Sequence, residues 1–346
     1  MERIIRVLVV DDSAYIRKVV SQMLSRSPFI DVVGTARDGV DALEKVAELQ
    51  PDVLTLDLVM PEMDGITFLR EQMSRRPLPV VVVSIAGESS EQVLAAFDAG
   101  AVDVVQKPTA LATEKVLEIS EELIASVKAA AQVPLRQVVL PSHPPEARTP
   151  AARPATDAFD VVLLGISTGG PQGLKQVIPL LPTDFALPVA VVLHIPIGYT
   201  ALYAQSLNSL SQLRVVEAQA GEPVRAGTVL LAPAGYHLTF TRQRDGAVVT
   251  RLDTRPIDTP HRPSVDVLFQ SAAEVYRDRA LGVVMTGMGS DGRNGAAWIK
   301  AQGGTVWTEA EESCVVYGMP RAVDEAGLSD RSLPLSLIAQ ALQELV

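Results

Sequence analysis

The chain has 346 residues, of which 47% are apolar and 21% are charged, and its formal net charge is −11. This length allows two domains of ordinary size, and the acidity argues against a general nucleic-acid-binding protein, because phosphate neutralisation needs clustered Lys and Arg. A single cysteine excludes an internal disulfide framework and favours a cytoplasmic location. The apolar runs are too short to span a bilayer, and the N-terminal stretch is better explained as a strand than as a secretion signal.

The first part of the chain, residues 5–128, alternates short apolar runs with amphipathic segments. The apolar runs are rich in Val and Leu, and the segments between them have helical spacing. Such alternation predicts a parallel sheet with helices on both faces, because strands buried on both sides are apolar throughout. We therefore predict an α/β domain over residues 1–128 with a doubly wound, flavodoxin-like sheet.

Five polar side chains stand at the predicted carboxyl ends of these strands, where ligands gather in open parallel sheets. They are Asp11 and Asp12 after the first strand, Asp57 after the third, Ser84 at the end of the fourth and Lys107 after the fifth. Three carboxylates held together repel one another, and their oxygens suit Mg²⁺. Asp57 could then accept a phosphoryl group, with Mg²⁺ and Lys107 offsetting its charge. Each aspartate taken alone is more often a turn residue or a helix cap.

The spacing of these residues resembles that of response-regulator receiver domains. The matching segments are VVDDS (9–13), LTLDLVMPEMDG (54–65), VVVS (81–84) and VQKP (105–108). The resemblance implies that a histidine kinase phosphorylates Asp57 and that Ser84 and Lys107 sense the phosphoryl group. It also implies a Mg²⁺ site formed by Asp11, Asp12, Asp57 and the backbone carbonyl of Val59. Receivers usually have an aromatic residue where this chain has Val104, so an aromatic rotamer switch cannot operate here in its usual form.

Residues 129–158 contain several prolines, few aromatic residues and no apolar period, which predicts a proline-rich linker. A docking segment is the alternative interpretation. A second alternating block follows the linker and predicts another doubly wound α/β domain, Rossmann-like, over residues 159–346. Within it, the segment 215–240 is richer in turns and predicts a β-ribbon insertion.

The segment GISTGG (165–170) follows an apolar run and precedes a helical segment. Its G-x-S-x-G pattern is typical of a sharp strand-to-helix turn that exposes a serine, and its glycines permit the tight backbone. An anion-binding loop at a helix N-terminus has a similar pattern, although no GK[ST] follows, which argues against a P-loop. Ser167 is therefore a candidate nucleophile, and at neutral pH it would need a base.

Four histidines are available as that base. His143 lies in the linker and His237 in the predicted ribbon, where a structural role is the simpler interpretation. His261 lies in a loop before a predicted helix and could line a pocket. His194 ends a predicted strand at the sheet edge where Ser167 also lies, and it is the candidate that position favours.

Asp291 lies in the glycine-rich loop MTGMGSDG (285–292), after another buried strand. A solvated turn aspartate is the simpler interpretation, but Asp291 could instead orient the His194 imidazole and complete a Ser-His-Asp triad. Backbone N–H groups in the same loop could form an oxyanion site, which is worth about 3 kcal/mol per donor. The chain order Ser-His-Asp differs from that of the α/β-hydrolases.

These segments resemble the chemotaxis protein-glutamate methylesterases, in which a receiver precedes an esterase domain. The matching segments are GISTGGP (165–171), HIP (194–196), APAGYHL (232–238), HRPSVDVLF (261–269), MTGMGSDG (285–292) and VVYGMP (315–320). The resemblance implies Ser167 as nucleophile, His194 as general base and Asp291 as the residue that orients the base. It further implies support from Thr168 and an oxyanion contact from the Met288 amide.

The resemblance also implies a substrate and a mode of regulation. The substrate would be a glutamate methyl ester on the cytoplasmic helices of a chemoreceptor, with glutamine deamidation as a related reaction, no cofactor in the esterase site and no membrane insertion. The receiver would inhibit the esterase until Asp57 is phosphorylated. Two alternatives stay open: a hydrolase acting outside chemotaxis, and a non-enzymatic adaptor. The chain departs from the family at Ile166, Leu193 and Ile195, positions that bear on pocket packing.

Overall fold

In the computed structural model, the chain divides into two compact units, Met1–Ser142 and His143–Val346. The structure describes residues 3–84, 90–107, 113–133 and 158–345. Most of the predicted linker at 129–158, including His143, lies outside the described residues, and its first two residues end a helix. Among the helices that are described, none combines the length and the apolar character needed to cross a membrane.

The first unit is a five-stranded parallel sheet with strand order β2-β1-β3-β4-β5. Helices α1, α2 and α3 begin at the side-chain caps Ser13, Asp38 and Asp64, which accept N–H groups that have no partner within the helix. The prediction of a flavodoxin-like α/β domain is confirmed. The strands are β1 (Ile5–Val10), β2 (Ile30–Ala36), β3 (Val53–Leu56), β4 (Val80–Ser84) and β5 (Asp103–Gln106). The helices are α1 (Ala14–Leu24), α2 (Gly39–Leu49), α3 (Gly65–Arg75), α4 (Ser90–Asp98) and α5 (Thr113–Ala130).

The second unit is built on a seven-stranded parallel sheet with strand order β14-β13-β12-β6-β7-β9-β8. Its central strands are buried at every position, which explains why their sequences are apolar throughout. The strands are β6 (Val161–Ile166), β7 (Val189–Leu193), β8 (Arg214–Glu217), β9 (Thr228–Leu231), β12 (Ala280–Val284), β13 (Thr305–Glu309) and β14 (Arg331–Leu333). The helices are α6 (Gly170–Val177), α7 (Thr200–Leu210), α8 (Val265–Tyr276), α9 (Arg293–Ala301), α10 (Met319–Glu325) and α11 (Leu335–Gln343).

The predicted β-ribbon insertion is present, but it begins later than the sequence suggested. Strands β10 (His237–Arg242) and β11 (Val248–Asp253) pair with each other as a separate antiparallel ribbon. The preceding strands, β8 and β9, pair in parallel and continue the main sheet. β9 is largely apolar and is buried at every position, as expected of an internal parallel strand, and β8 forms the partly exposed edge of the sheet.

Each parallel sheet changes its winding direction at one point. In the first unit this reversal lies between β1 and β3, and in the second it lies between β6 and β12. Ligands of open parallel sheets bind in the crevice at the carboxyl ends of the strands at such a reversal. The segments that follow these four strands therefore define where each unit can hold a ligand.

Candidate active site

Ser167 is the first residue after β6, in the turn that leads into α6. Gly169 has a left-handed backbone with φ of 79°, which a residue with a side chain adopts only with strain. A Cβ atom at Gly169 would also lie 2.6 Å from the Val315 side chain. The turn is tied to the loop after β12 by the Ser167 N–H, which donates to the Thr286 carbonyl at 2.9 Å. Glycine therefore permits a sharp bend with Ser167 at its start.

His194 directly follows β7, the strand beside β6. The two strands pair in register up to Ile166 and Leu193, and the His194 N–H donates to the Ile166 carbonyl at 3.1 Å. Ser167 and His194 are therefore the first residues past two neighbouring strand ends. The His194 Nε2 atom lies 3.0 Å from Asp291 Oδ2, whereas Nδ1 is buried and makes no hydrogen bond to a described residue. Nδ1 is thus the nitrogen that remains for proton transfer.

The Asp291 carboxylate is held by a set of donors. Besides His194, it accepts the Ser264 hydroxyl at 2.9 Å, and the N–H groups of Val265, Asp266 and Gly292 at 2.8, 2.9 and 3.1 Å. Val265 and Asp266 begin α8, where the helix dipole favours an anion. Burial alone would raise the pKa of Asp291, but His194 and the N–H donors outweigh it and lower the pKa to about 2. Asp291 is therefore ionised at neutral pH and keeps the His194 proton on Nε2.

Asp266 supports the same loop from the other side. Its carboxylate accepts the N–H groups of Gly292 at 2.9 Å and Gly295 at 2.7 Å, at the start of α9. Asp291, which precedes α9, caps α8, and Asp266, which lies in α8, caps α9. Sequence reasoning missed the roles of Ser264 and Asp266. Both lie in the segment 261–269 that matched the methylesterases, and that match was the one available signal.

Two further histidines lie close to the triad residues. The His261 ring stacks on the His194 ring, with centroids 4.2 Å apart and 24° between the planes. Although His261 is exposed as a residue, the protein around its ring displaces water and disfavours the charged form. This effect, followed by that of His194, lowers the pKa of His261 to about 4. His237 is fully buried, and its Nδ1 accepts the Ser264 N–H at 3.2 Å. His261 therefore lines the site, and His237 supports the residue that holds Asp291.

The loop after β12 lies against the serine turn. A Cβ atom at Gly287 would lie 2.7 Å from the Ser167 Cβ and 2.4 Å from the Met319 sulfur, so only glycine fits there without movement. The Gly287 N–H donates to the Val316 carbonyl at 3.0 Å, whereas the Met288 N–H has no backbone partner among the described residues. The role of Met288 as an oxyanion donor stays a prediction, and so does the supporting role of the buried Thr168.

The first unit brings together three carboxylates and a lysine. Asp11, Asp12 and Asp57 each offer one oxygen, and these oxygens lie within 4.8 Å of one another. Lys107 Nζ lies 2.9 Å from Asp11 Oδ2 and 2.7 Å from Asp57 Oδ2. Burial raises the pKa of Asp57 although Lys107 opposes this, while the two carboxylates outweigh burial and raise the pKa of Lys107. Hard oxygen ligands at this spacing fit Mg²⁺.

The other predicted residues of this unit lie in, or shortly after, β3, β4 and β5. The Lys107 N–H donates to the Ser84 carbonyl at 2.7 Å, so these two residues end neighbouring strands. The Val59 N–H lies 3.4 Å from Asp57 Oδ1, and the Val59 carbonyl stays a predicted metal ligand. Val104 is buried within β5.

Known proteins are similar to both units of the chain. A response regulator receiver domain family matches residues 7–118, and a CheB methylesterase family matches residues 162–342. A relative from Myxococcus xanthus, named protein-glutamate methylesterase/protein-glutamine glutaminase 5, is 55% identical over 96% of this chain and 95% of its own length. A relative from Symbiobacterium thermophilum, named protein-glutamate methylesterase/protein-glutamine glutaminase, is 47% identical over 100% of this chain and 98% of its own length. The solved catalytic domain of a CheB methylesterase from Thermotoga maritima is 44% identical, with a TM-score of 0.53, over 54% of this chain and 99% of its own.

Proposed function

Because this chain belongs to the CheB methylesterase family and carries a response-regulator receiver domain, we propose that it is a phosphorylation-regulated protein-glutamate methylesterase. The observation that carries the proposal is the 3.0 Å contact between His194 Nε2 and Asp291, beside the strand end that bears Ser167. The relatives are also named glutaminases, which supports deamidation of glutamine as a second reaction of the same site.

Acylation begins at the Ser167 hydroxyl. Its oxygen forms a bond to the ester carbonyl carbon while its proton passes to His194 Nδ1. Asp291 stabilises the resulting imidazolium, because its carboxylate faces the Nε2–H. Backbone N–H groups of the loop after β12, with Met288 as the candidate donor, stabilise the oxyanion. The intermediate then expels the methoxy group, which takes the proton from Nδ1 and leaves as methanol.

Deacylation regenerates the serine. A water molecule gives a proton to His194 Nδ1 as its oxygen attacks the acyl carbon. The bond between that carbon and Ser167 Oγ breaks, Oγ takes the proton, and a free glutamate side chain leaves. A primary amide follows the same path, with ammonia as the leaving group in place of methanol.

The proposed substrate is a methylated glutamate on the cytoplasmic helices of a chemoreceptor. Membership of the family and the names of the relatives support this assignment. A hydrolase for another methyl ester would use the same triad, so methylated receptor membranes and small methyl esters must be compared directly. Hydrolysis of the receptor ester at the higher kcat/KM supports the chemotaxis substrate.

Regulation is assigned to the first unit. Asp57 accepts a phosphoryl group from a histidine kinase, which adds roughly −1.5 to −2 charges and relieves inhibition of the esterase. Asp11, Asp12, Asp57 and the Val59 carbonyl would hold Mg²⁺, which would offset the charge of the transferred group. Lys107 and Ser84 would contact the phosphoryl oxygens, and the position of Lys107 between Asp11 and Asp57 supports this.

Methanol release from methylated receptor membranes tests the proposal, with the full chain and a small phosphodonor. We expect Ser167→Ala to lower the rate at least about a thousandfold, because the nucleophile is removed. Ser209→Ala is the matched control, because the Ser209 hydroxyl bonds only within its own exposed helix turn, and it should match the wild type. Equal rates for Ser167→Ala and wild type would contradict the proposal.

A further inference from the structure

Glu309, the last residue of β13, is a carboxyl group with no exposed surface. Its Oε2 accepts the Thr286 N–H at 2.9 Å, and its Oε1 lies 3.0 Å from the Ser313 hydroxyl. In the described part of the chain, no Lys or Arg side chain acts on its charge. A buried carboxyl group without a cation is costly unless its hydrogen bonds are satisfied. The triad chemistry does not use this residue, so its retention in the core needs another explanation.

Thr286 connects Glu309 to the nucleophile. The Thr286 carbonyl accepts the Ser167 N–H at 2.9 Å, and its hydroxyl donates to the Thr168 carbonyl at 3.1 Å. The Val316 N–H donates to the same hydroxyl at 2.9 Å. Thr286 is thus hydrogen-bonded to two consecutive residues of the serine turn, Ser167 and Thr168, and its own N–H donates to Glu309. The next residue, Gly287, is the one whose close approach to Ser167 requires glycine.

We propose that Glu309 is a positioning residue, which holds Thr286 and through it fixes the Ser167 turn and the start of the oxyanion loop. This inference rests on the proposed function, since it concerns the geometry of the same nucleophile. A displacement of about 1 Å at a reacting group can cost about a hundredfold in rate. A buried bond to the residue that anchors Ser167 therefore has a direct effect on catalysis.

Burial favours the neutral acid over the carboxylate, whereas the hydrogen bonds from the Thr286 N–H and the Ser313 hydroxyl favour the carboxylate. The Ser313 hydroxyl donates to Oε1 at 3.0 Å, and its oxygen accepts the Leu335 N–H at 2.9 Å. Ionisation of Glu309 leaves a buried charge with no cation beside it in the described part of the chain.

Among the residues that the structure describes, the titratable group that contacts Glu309 is an acid, the Cys314 thiol, which cannot offset such a charge. Burial, followed by neighbouring acids, raises the pKa of the Cys314 thiol, so it stays neutral. Glu311 and Glu312 lie on the next turn, and Asp324 bonds to the Tyr317 hydroxyl at 2.6 Å. Burial raises the pKa of Glu309 to about 7. Both forms of Glu309 accept the Thr286 N–H, but the ionised form above about pH 7 places an uncompensated buried charge next to the residue that anchors Ser167.

Two substitutions in the full chain test the inference. Glu309→Gln reproduces the neutral acid, because its amide oxygen can accept the Thr286 N–H and its amide N–H can donate to Ser313. Glu309→Leu has a similar size but leaves the Thr286 N–H without an acceptor. The readouts are kcat and KM for methyl-ester hydrolysis and the rate at which a fluorophosphonate acylates Ser167, with a phosphodonor present, from about pH 6 to about pH 9.

We expect Glu309→Leu to lower kcat and the acylation rate about ten- to a hundredfold, with KM within about twofold, because the nucleophile is displaced while substrate binding is retained. Glu309→Gln should match the wild type at about pH 6 and should retain its rate above about pH 7, where the wild type declines. Rescue by Gln and a changed pH profile would not follow from a purely structural role.

The outcomes separate this inference from the proposed function. If Ser167→Ala hydrolyses the ester like the wild type, the proposed function fails, whatever Glu309 does. If Ser167→Ala is inert and a folded Glu309→Leu keeps the wild-type kcat, the inference is overturned and the proposed function stands. If Glu309→Leu does not fold, the pH profiles decide, and identical profiles for Glu309→Gln and wild type overturn the inference.

Discussion

At the residue scale, the chemistry depends on which His194 nitrogen faces which neighbour. Asp291 faces Nε2 at 3.0 Å, and this leaves Nδ1 as the nitrogen that would exchange protons with Ser167, the proposed nucleophile. The carboxylate is held by N–H groups and by the Ser264 hydroxyl, and the pKa of Asp291 is about 2. Acidification to about pH 4 would therefore leave Asp291 ionised.

The pKa of Glu309 makes stability depend on pH in a defined direction. Its pKa is about 7 in the folded protein and 4.5 in the exposed reference state, so the folded state binds more protons between these values. Stability therefore falls as pH rises through this window. Relative to Glu309→Gln, we expect the wild type to lose about 3 kcal/mol between about pH 4 and about pH 8.

Urea unfolding followed by tryptophan fluorescence measures this effect in the catalytic unit alone, because both tryptophans, Trp298 and Trp307, lie there. Glu311→Gln is the matched control, since Glu311 is exposed on the next turn, and it should show no comparable pH-dependent difference from the wild type. If the free energies of unfolding of the wild type and Glu309→Gln differ by the same amount at every pH, Glu309 does not titrate in this window.

The sequence identified some of these residues and not others, for a physical reason. Ser167, His194 and Asp57 directly follow apolar strands, Asp291 lies in the loop after the apolar strand β12, and strand ends of a parallel sheet meet at one edge. The Ser264 hydroxyl donates to the Asp291 carboxylate 27 positions away, and Asp266 and Glu309 accept backbone N–H groups 29 and 23 positions away. Such a partner depends on how two segments pack, and neither periodicity nor a local motif encodes it.

At the element scale, α8 and α9 are joined by their reciprocal caps. Asp291 accepts the first N–H groups of α8, and Asp266 accepts N–H groups at the start of α9. We expect Asp266→Ala to lower the free energy of unfolding by about 1 to 2 kcal/mol, because it removes an acceptor from two N–H groups. The acylation of Ser167 should slow as well, since the loop that carries Asp291 loses an anchor, whereas Asp266→Asn keeps an acceptor and should be milder.

Asp38→Ala provides the comparison for this prediction. Asp38 caps α2 in the first unit, where its side chain accepts the Asp41 N–H at 2.8 Å. Tryptophan fluorescence should show no change for Asp38→Ala, and without a phosphodonor the acylation rate should equal that of the wild type. Acylation of Asp266→Ala at the wild-type rate would mean that Asp291 keeps its position without this cap.

The regular elements were predictable because burial on both faces makes parallel strands apolar, and amphipathic helices separate them. The extent of the ribbon was not predictable in the same way. β9 and β10 are both short and flanked by turns, and pairing distinguishes them: β9 joins β7 and β8, and β10 joins β11. Strand partners depend on contacts distant in sequence, so the turn-rich composition of 215–240 did not reveal where the main sheet ends.

At the scale of the whole molecule, each unit carries its site at the reversal of its own sheet. If Asp57 controls Ser167, the effect must depend on the carboxylate cluster of the first unit. We expect a phosphodonor with Mg²⁺ to raise the esterase rate about fivefold or more. Chelation of the metal or Asp57→Asn should abolish this increase and leave the basal rate, because the triad uses no residue of the first unit.

Lys18→Ala is a suitable control for this experiment, because Lys18 lies on α1 outside the carboxylate cluster, and its response to phosphodonor should be that of the wild type. Stimulation that persists in Asp57→Asn would assign the phosphoryl acceptor to another residue. A fall in the basal rate on chelation would instead indicate a metal requirement in the catalytic unit.

The proposed triad takes its members from the segments after three adjoining strands, β7, β6 and β12, although His194 and Asp291 are 97 positions apart in the chain. The outermost strands, β8 and β14, are separated from these segments by intervening strands. Substitutions at the two margins of the sheet should therefore leave the proposed reacting groups in place.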